Sequence, residues 1–222
     1  MITYFVEVTG VYLGNTLLIG DSYSTFEGAI PEGYDSWYFK APGKNTDVFK
    51  KEQTWWYRLF DGEDNILIRN ESYSGTTICN SVRPQYSVDT SFINRFDKLI
   101  NDGFFEKNKI DTVLIFGGTN DSYIDSPIGE NQFDNFNEED LLKVLPACGY
   151  LAKRVSFAAP DARICWLINT ELKDEIVDGI IRNAEHFNQD YIRFTKIDKL
   201  SGHPSVKGML DILNAVKEHF EI

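Results

Sequence analysis

Short apolar runs alternate along this chain with longer segments in which apolar residues recur at spacings near 3.6. The runs are too short for helices and predict buried strands at 16–19, 65–70, 111–116 and 163–168, with a last strand at 191–195. The longer segments predict helices at 51–60, 90–101, 141–157, 171–188 and 206–220. Pro146 either kinks the helix at 141–157 or opens a second one. Residues 2–8 alternate as in an edge strand or a hairpin arm. Strands that alternate with helices are typical of an α/β domain with a parallel sheet.

Glycine and polar residues follow three of the predicted strands directly. Ser22 comes after the first strand, Gly75 after the second and Asn120 after the third. Because parallel strands end at one edge of a sheet, we expect these loops to converge. His203 stands before Pro204 and the last predicted helix. Each residue also has an ordinary structural interpretation, as a cap, a turn glycine, a loop-closing amide or a helix start. Together they offer a nucleophile, donors for an oxyanion and a base.

Composition narrows the class of protein. The 222 residues suit one domain, 1–222, with a sizeable core. A net charge of −12 and the absence of Lys and Arg clusters exclude a surface that tracks nucleic-acid phosphates. Three cysteines, at positions 79, 148 and 165, lack the spacing of metal ligands and are expected to be buried free thiols. With Met1 as the native start, we find no export signal and no membrane span, and we expect a soluble, cytoplasmic protein.

In their order along the chain, these motifs resemble the blocks of the SGNH or GDSL-type hydrolases. Gly20-Asp21-Ser22-Tyr23-Ser24 resembles the first block, Gly117-Gly118-Thr119-Asn120-Asp121 the third, and His203-Pro204 the final one; Gly75 is a looser match to the second. The resemblance spans almost the whole chain and implies a three-layer α/β/α sandwich with a flavodoxin-like parallel sheet. It also implies hydrolysis of a small ester through an acyl-enzyme, without metal or organic cofactor. The implied roles are Ser22 as nucleophile, His203 as base, and the N–H groups of Ser22, Gly75 and Asn120 as the oxyanion hole.

The chain departs from the family pattern beside the histidine. Family members usually place an aspartate three residues before it, where this chain has Leu200. Asp198, five residues before, reaches the ring if the backbone bulges by two residues. Otherwise a backbone carbonyl orients the ring and leaves a Ser-His dyad. Asp21 and Asp121 are expected to hold loops, and the other histidines, His186 and His219, to lie on helices.

The resemblance leaves the ester open. The aromatic, polar loop at 25–37 and the asparagine-rich segment at 131–137 are suited to a sugar, so we expect an O-acetyl group on a carbohydrate. A lysophospholipase or thioesterase is the first alternative. Because the usual aspartate is missing, a catalytically inactive domain that binds glycans is the second.

Overall fold

A five-stranded parallel sheet forms the centre of the protein. The computed structural model describes residues 12–41, 45–62 and 65–222. The strands are β1 (Gly14–Gly20), β2 (Asn65–Ser72), β3 (Thr112–Phe116), β4 (Arg163–Ile168) and β5 (Asp190–Arg193), in the order β2-β1-β3-β4-β5. All neighbouring pairs are parallel, which confirms the predicted flavodoxin-like sheet. The chain leaves β1 towards β2 and then returns to β3 on the other side of β1. Open sheets of this kind bind ligands at such a reversal of strand order, beyond the carboxyl ends of the strands.

Helices cover both faces of the sheet. They are α1 (Trp55–Leu59), α2 (Phe92–Asn101), α3 (Phe104–Lys107), α4 (Thr119–Tyr123), α5 (Val144–Ala158), α6 (Asp174–His186) and α7 (Val206–Phe220). Alternate side chains of a strand point to opposite faces. Leu17 and Ile19 of β1 therefore join the core under α2, α5 and α6, while Leu18 joins the core under α1 and α7. These are the three layers that the sequence predicts.

Several boundaries differ from the prediction for identifiable reasons. The helix predicted at 51–60 is a 3-10 turn, Lys51–Gln53, followed by α1, because Thr54 accepts a hydrogen bond from the Tyr57 N–H and caps a new helix. The helix predicted at 141–157 is divided in the same way, into a 3-10 turn, Asp140–Leu142, and α5. Pro146 lies in the first turn of α5, where a backbone N–H has no helical acceptor, so it opens this second helix, as the second of the two predicted alternatives states, and does not kink it. Among the described helices and strands, α3, α4 and a hairpin of β6 (Lys199–Leu200) and β7 (His203–Pro204) were not predicted. The strand predicted at 2–8 lies outside the described residues.

The prediction for the cysteines is confirmed, since Cys79, Cys148 and Cys165 are all buried and free. Burial raises the pKa of all three thiols. Within the three described ranges, no helix is long and apolar enough to cross a membrane.

Candidate active site

Ser22 lies on a tight turn at the carboxyl end of β1. Gly20 ends the strand at a point where a Cβ atom would lie 2.5 Å from the Ser72 hydroxyl oxygen, so a larger residue is excluded. Asp21 then caps a 3-10 turn over Ser22–Ser24, and its carboxylate accepts a hydrogen bond of 3.0 Å from the Tyr23 N–H. The prediction that Asp21 holds this loop is consistent with that contact. The turn directs the Ser22 side chain towards the cavity beyond the sheet edge.

The structure brings Ser22 and His203 into direct contact across 181 positions of sequence. The Ser22 Oγ and His203 Nε2 atoms are 2.9 Å apart, within hydrogen-bond distance. His203 lies on the β6–β7 hairpin, whose turn residues Ser201 and Gly202 both have positive φ angles, of 50° and 76°. Two such residues in a two-residue loop form a type I′ turn, whose twist suits a hairpin. The Tyr23 hydroxyl donates a hydrogen bond of 2.7 Å to the Gly202 carbonyl and ties the hairpin to the serine turn.

A backbone carbonyl, not an aspartate, faces the other nitrogen of the His203 ring. The Ser201 carbonyl oxygen is 3.2 Å from Nδ1. Because a carbonyl only accepts, it holds the proton of the neutral ring on Nδ1 and leaves Nε2 able to accept the Ser22 proton. The indole of Trp37 stacks on the ring from the side, with centroids 3.5 Å apart and planes 8° from parallel.

The structure corrects the prediction that Asp198 contacts His203. The Asp198 carboxylate accepts a hydrogen bond from the Ser205 hydroxyl, and its carbonyl accepts one of 3.0 Å from the Ser205 N–H. Ser205 is the N-cap of α7, so Asp198 stabilises the start of that helix. The hairpin pairs Leu200 with His203 and Lys199 with Pro204, and no two-residue bulge brings Asp198 to the ring. The Ser201 carbonyl lies beside Nδ1, as the second alternative requires.

Of the predicted oxyanion donors, Ser22 and Asn120 line one cavity, and Gly75 lies in the loop that follows β2. In the part of the chain that the structure describes, no carbonyl or side chain accepts from the backbone N–H of Ser22 or of Gly75. Gly75 has a φ of 83°, and a Cβ atom there would lie 2.5 Å from the Tyr86 hydroxyl, so both conformation and space require glycine. The Asn120 side-chain amide donates a hydrogen bond of 3.0 Å to the Thr76 carbonyl and accepts one of 2.8 Å from Arg83. One amide N–H of Asn120 is left over.

Three buried charged residues hold the loops of the site together. Asp121 accepts hydrogen bonds of 2.9 and 3.2 Å from the N–H groups of Ile78 and Cys79, and burial raises its pKa. Burial also raises the pKa of Asp21, to about 6. Arg95 is 1% exposed and donates to four oxygens, namely the carbonyls of Gly20, Glu71 and Thr90 and the Thr76 hydroxyl. The loops that carry Ser22 and Gly75 therefore share one guanidinium.

Sequence reasoning missed Arg95 and Arg83. The sequence does indicate that Arg95 is buried, because Arg95 stands three residues after Phe92 and four before Leu99, on the apolar face of a predicted amphipathic helix. Such a charge needs buried partners. Arg83 lies on the irregular segment between β2 and α2, where no periodicity marks it.

A cavity of about 590 Å³ opens over the Ser22–His203 pair. Trp37 of the predicted substrate loop lines it, together with Arg83, Tyr123 and Glu171. The asparagine-rich segment, in contrast, does not line this cavity. Asn131 donates 2.9 Å to the Gly179 carbonyl of α6 instead. The described residues contain no group of three His, Cys, Asp or Glu side chains placed to hold a metal ion.

The two other histidines lie on helices, as predicted. His186 ends α6 and stacks on Phe133 with centroids 3.7 Å apart, while His219 lies in α7.

Comparison with known proteins places the chain in a family. The family model for GDSL-like lipase/acylhydrolase matches residues 15–220. A solved protein from Bacteroides ovatus assigned to the GDSL-like lipases is 37% identical, with a TM-score of 0.86, and the match covers 94% of this chain and 98% of that one. A second, from Bacteroides uniformis, is 39% identical, with a TM-score of 0.83 and coverages of 93% and 95%.

More distant structures share the fold. Est24, a carbohydrate acetylesterase from Sinorhizobium meliloti, is 14% identical, with a TM-score of 0.62 and coverages of 94% and 98%. Among curated proteins, no sequence matches the chain significantly. From the family match and the two Bacteroides structures, the chain belongs to the GDSL-like lipase/acylhydrolase family, whose members hydrolyse esters.

Proposed function

We propose that this protein is a serine esterase in which Ser22 attacks the ester carbonyl and His203 acts as the base. The contact of 2.9 Å between Ser22 Oγ and His203 Nε2, at the floor of an open cavity, carries this proposal. A serine hydroxyl is a weak nucleophile at neutral pH until a positioned imidazole takes its proton. His203 meets that requirement in geometry and in tautomer, because the Ser201 carbonyl holds the ring proton on Nδ1.

The reaction proceeds in two halves. In the first, Ser22 Oγ bonds to the carbonyl carbon while its proton moves to His203 Nε2, and the carbonyl oxygen becomes an oxyanion. The tetrahedral species collapses when the C–O bond to the alcohol breaks and His203 returns the proton to the leaving oxygen. In the second half, water gives a proton to His203 Nε2 while its oxygen bonds to the acyl carbon. The bond between that carbon and Ser22 Oγ then breaks, His203 returns the proton to Oγ, and the acid leaves.

The donors around Ser22 are suited to the oxyanion. Among the residues that the structure describes, no group accepts from the N–H groups of Ser22 and Gly75 or from one N–H of Asn120. A preorganised donor of this kind is typically worth roughly 10²- to 10³-fold in rate.

We further propose that the substrate carries a short acyl group, most simply an acetyl ester of a carbohydrate. Polar side chains line the cavity near Ser22, among them Arg83, Asn120 and Glu171. A long alkyl chain would remove these groups from water without replacing their hydrogen bonds, which is unfavourable. Trp37 and Tyr123 offer aromatic faces for a sugar ring, and Tyr123 is 78% exposed.

Hydrolysis of p-nitrophenyl acetate, butyrate and octanoate tests both proposals. We expect the acetate to be the best substrate and Ser22→Ala to abolish turnover and labelling by a fluorophosphonate. Ser24→Ala is the matched control, because the Ser24 hydroxyl is buried and has no hydrogen-bond partner among the described residues. Ser24→Ala should keep both the ester turnover and the fluorophosphonate labelling.

Each other result has a defined meaning. Preference for octanoate would contradict the short-acyl proposal and favour a lysophospholipase or thioesterase. Absence of turnover and of labelling in the unmodified protein would contradict the esterase proposal and favour the domain that only binds glycans.

A further inference from the structure

The side-chain amide of Asn120 has two orientations, and only one is useful for catalysis. An asparagine amide carries an acceptor oxygen on one side and an NH₂ donor on the other. Rotation of the amide by 180° exchanges the positions of the oxygen and the NH₂ group with almost no change in the shape of the side chain. If the amide oxygen faced the developing oxyanion, its partial negative charge would repel the oxyanion, and the site would lose a hydrogen-bond donor.

Two neighbours select one of these orientations. On one side the Thr76 carbonyl accepts a hydrogen bond of 3.0 Å from Asn120 Nδ2. On the other side Arg83 Nη2 donates one of 2.8 Å to Asn120 Oδ1. In the rotated amide the NH₂ group would face the Arg83 donor, and the oxygen would face the Thr76 acceptor. Because a guanidinium has donors only, it specifies the amide more strictly than a hydroxyl or a water would.

We propose that Arg83 is a positioning residue of the oxyanion hole and acts through Asn120. This inference rests on the proposed esterase function. Arg83 holds the amide so that its second N–H points to the oxyanion. The hydrogen bond from a charged donor also draws electron density towards Oδ1 and makes the remaining N–H a better donor.

The surroundings of Arg83 argue against a role in stability alone. Its Nε atom is buried and has no hydrogen-bond partner in the described part of the chain. An unsatisfied buried donor lowers stability, by about 1–3 kcal/mol. The Arg83 carbonyl accepts 2.9 Å from the Tyr86 N–H in a turn with Pro84 at its second position, and the guanidinium lies 5.1 Å from the Tyr123 ring. The turn fixes the backbone of Arg83, and the Tyr123 ring lies beside the guanidinium that contacts Asn120.

Arg83 also lines the cavity, so a role in binding an anionic substrate group is the competing explanation. The two roles differ in their dependence on Asn120. A positioning residue has no effect once the amide is gone. A substrate-binding residue keeps its effect.

A double-mutant cycle on p-nitrophenyl acetate separates them. We expect Arg83→Met to lower kcat by about 10-fold or more with little change in KM, and Asn120→Ala to lower it by about 10²- to 10³-fold. In the Asn120→Ala background, Arg83→Met should have less than about a 2-fold effect. Arg83→Lys, which keeps one donor, should recover part of the loss. An equal loss from Arg83→Met in both backgrounds, or a loss confined to the KM of an anionic ester, would overturn the proposal.

Arg163→Met is the control for loss of an arginine. Arg163 also donates to a side chain, Asp190, at 2.9 Å and lies 4.3 Å from an aromatic ring, that of Phe220, but it stands at the amino end of β4. The Arg163→Met variant should leave kcat and KM unchanged.

A second readout does not depend on turnover. In ¹⁵N-labelled protein, the Asn120 side-chain NH₂ signals are identified by their loss in Asn120→Ala. Arg83→Met should move them towards the values of exposed asparagines, and Arg163→Met should leave them in place. Unchanged Asn120 signals in Arg83→Met would overturn the positioning role. If the unmodified protein neither hydrolyses esters nor reacts with a fluorophosphonate, the proposed function fails, and this measurement still decides whether Arg83 orients Asn120.

Discussion

The Trp37 indole lies flat on the His203 imidazole, with ring centroids 3.5 Å apart and planes 8° from parallel. This stack and the Ser201 carbonyl, 3.2 Å from Nδ1, hold the ring where most family members are expected to use an aspartate. An aromatic face also stabilises the positive charge that the imidazole acquires when it takes the Ser22 proton. Two neutral groups, a backbone carbonyl and an indole, thus contact the ring of the proposed base.

Replacement of Trp37 should therefore impair the proposed base. We expect Trp37→Leu to lower kcat/KM on p-nitrophenyl acetate by about 3- to 10-fold, since a cation–π contact is worth roughly 1 kcal/mol. Trp37→Phe, which keeps an aromatic face, should lose less. Steady-state kinetics of both variants check this. Equal losses in Leu and Phe would show that the face itself contributes nothing.

Asp198 should be dispensable for turnover. Its carboxylate binds Ser205 at the start of α7, and Asp198→Asn keeps an acceptor for that hydroxyl. We expect kcat within about 3-fold of the unmodified enzyme, because the carboxylate contacts Ser205 and not the reacting pair. His203→Ala should abolish turnover in the same assay. A loss of kcat in Asp198→Asn comparable with that of His203→Ala would show that the Asp198 carboxylate takes part in catalysis.

The buried Asp21 carboxyl should make stability depend on pH. Burial raises its pKa in the folded protein from 3.8 to about 6, so the folded state binds this proton more tightly than the unfolded chain. Between these two values the folded form is protonated and the unfolded form is ionised. Stability therefore falls as the pH rises through this window, by about 3 kcal/mol for this group, and stays lower above it.

Asp21→Asn removes this dependence and keeps the acceptor for the Tyr23 N–H. Relative to the unmodified protein, the variant should gain stability from about pH 4 to about pH 6 and show a constant difference at higher pH. Urea unfolding at a series of pH values measures the difference. A constant difference across the series would mean that Asp21 does not titrate in this range.

Arg95 should be the most sensitive charged position for folding. Its guanidinium is buried and donates to Gly20, Glu71, Thr90 and Thr76. Arg95→Lys keeps the charge but not the planar fork of donors, and should lower the free energy of unfolding by about 3 kcal/mol or more. Urea unfolding of Arg95→Lys beside Lys98→Arg, an exposed change on the same helix, tests this. Similar stability of the two variants would contradict it.

The sequence predicted the sheet and the larger helices because their cause is local. A strand buried on both faces must be apolar throughout, and a helix on a sheet must repeat its apolar residues near 3.6 positions. Ser22, Gly75 and Asn120 could be proposed as site residues because they follow strand ends, and His203 because its place in the chain resembles the final block of the family. Arg83 was not predictable in this way, since its function depends on a contact between two irregular segments.

The region of His203 shows the limit of motif spacing. Ser201-Gly202 is a turn dipeptide, but its effect on the base depends on the hairpin register, which pairs Leu200 with His203. In that register the Ser201 carbonyl replaces a side chain that counting residues would seek at 198 or 200. A backbone acceptor leaves no mark in a sequence.

The hydrogen bond from Tyr23 to the Gly202 carbonyl has a consequence for the reacting pair. Tyr23 follows Ser22 in the chain, and Gly202 precedes His203, so a single bond of 2.7 Å joins the neighbours of both residues. The hairpin also carries the Ser201 acceptor, and base and acceptor must therefore move as one body. A displacement of the hairpin would separate His203 from Ser22 while the ring kept its tautomer. The Tyr23 hydroxyl thus contributes to the spacing on which proton transfer depends.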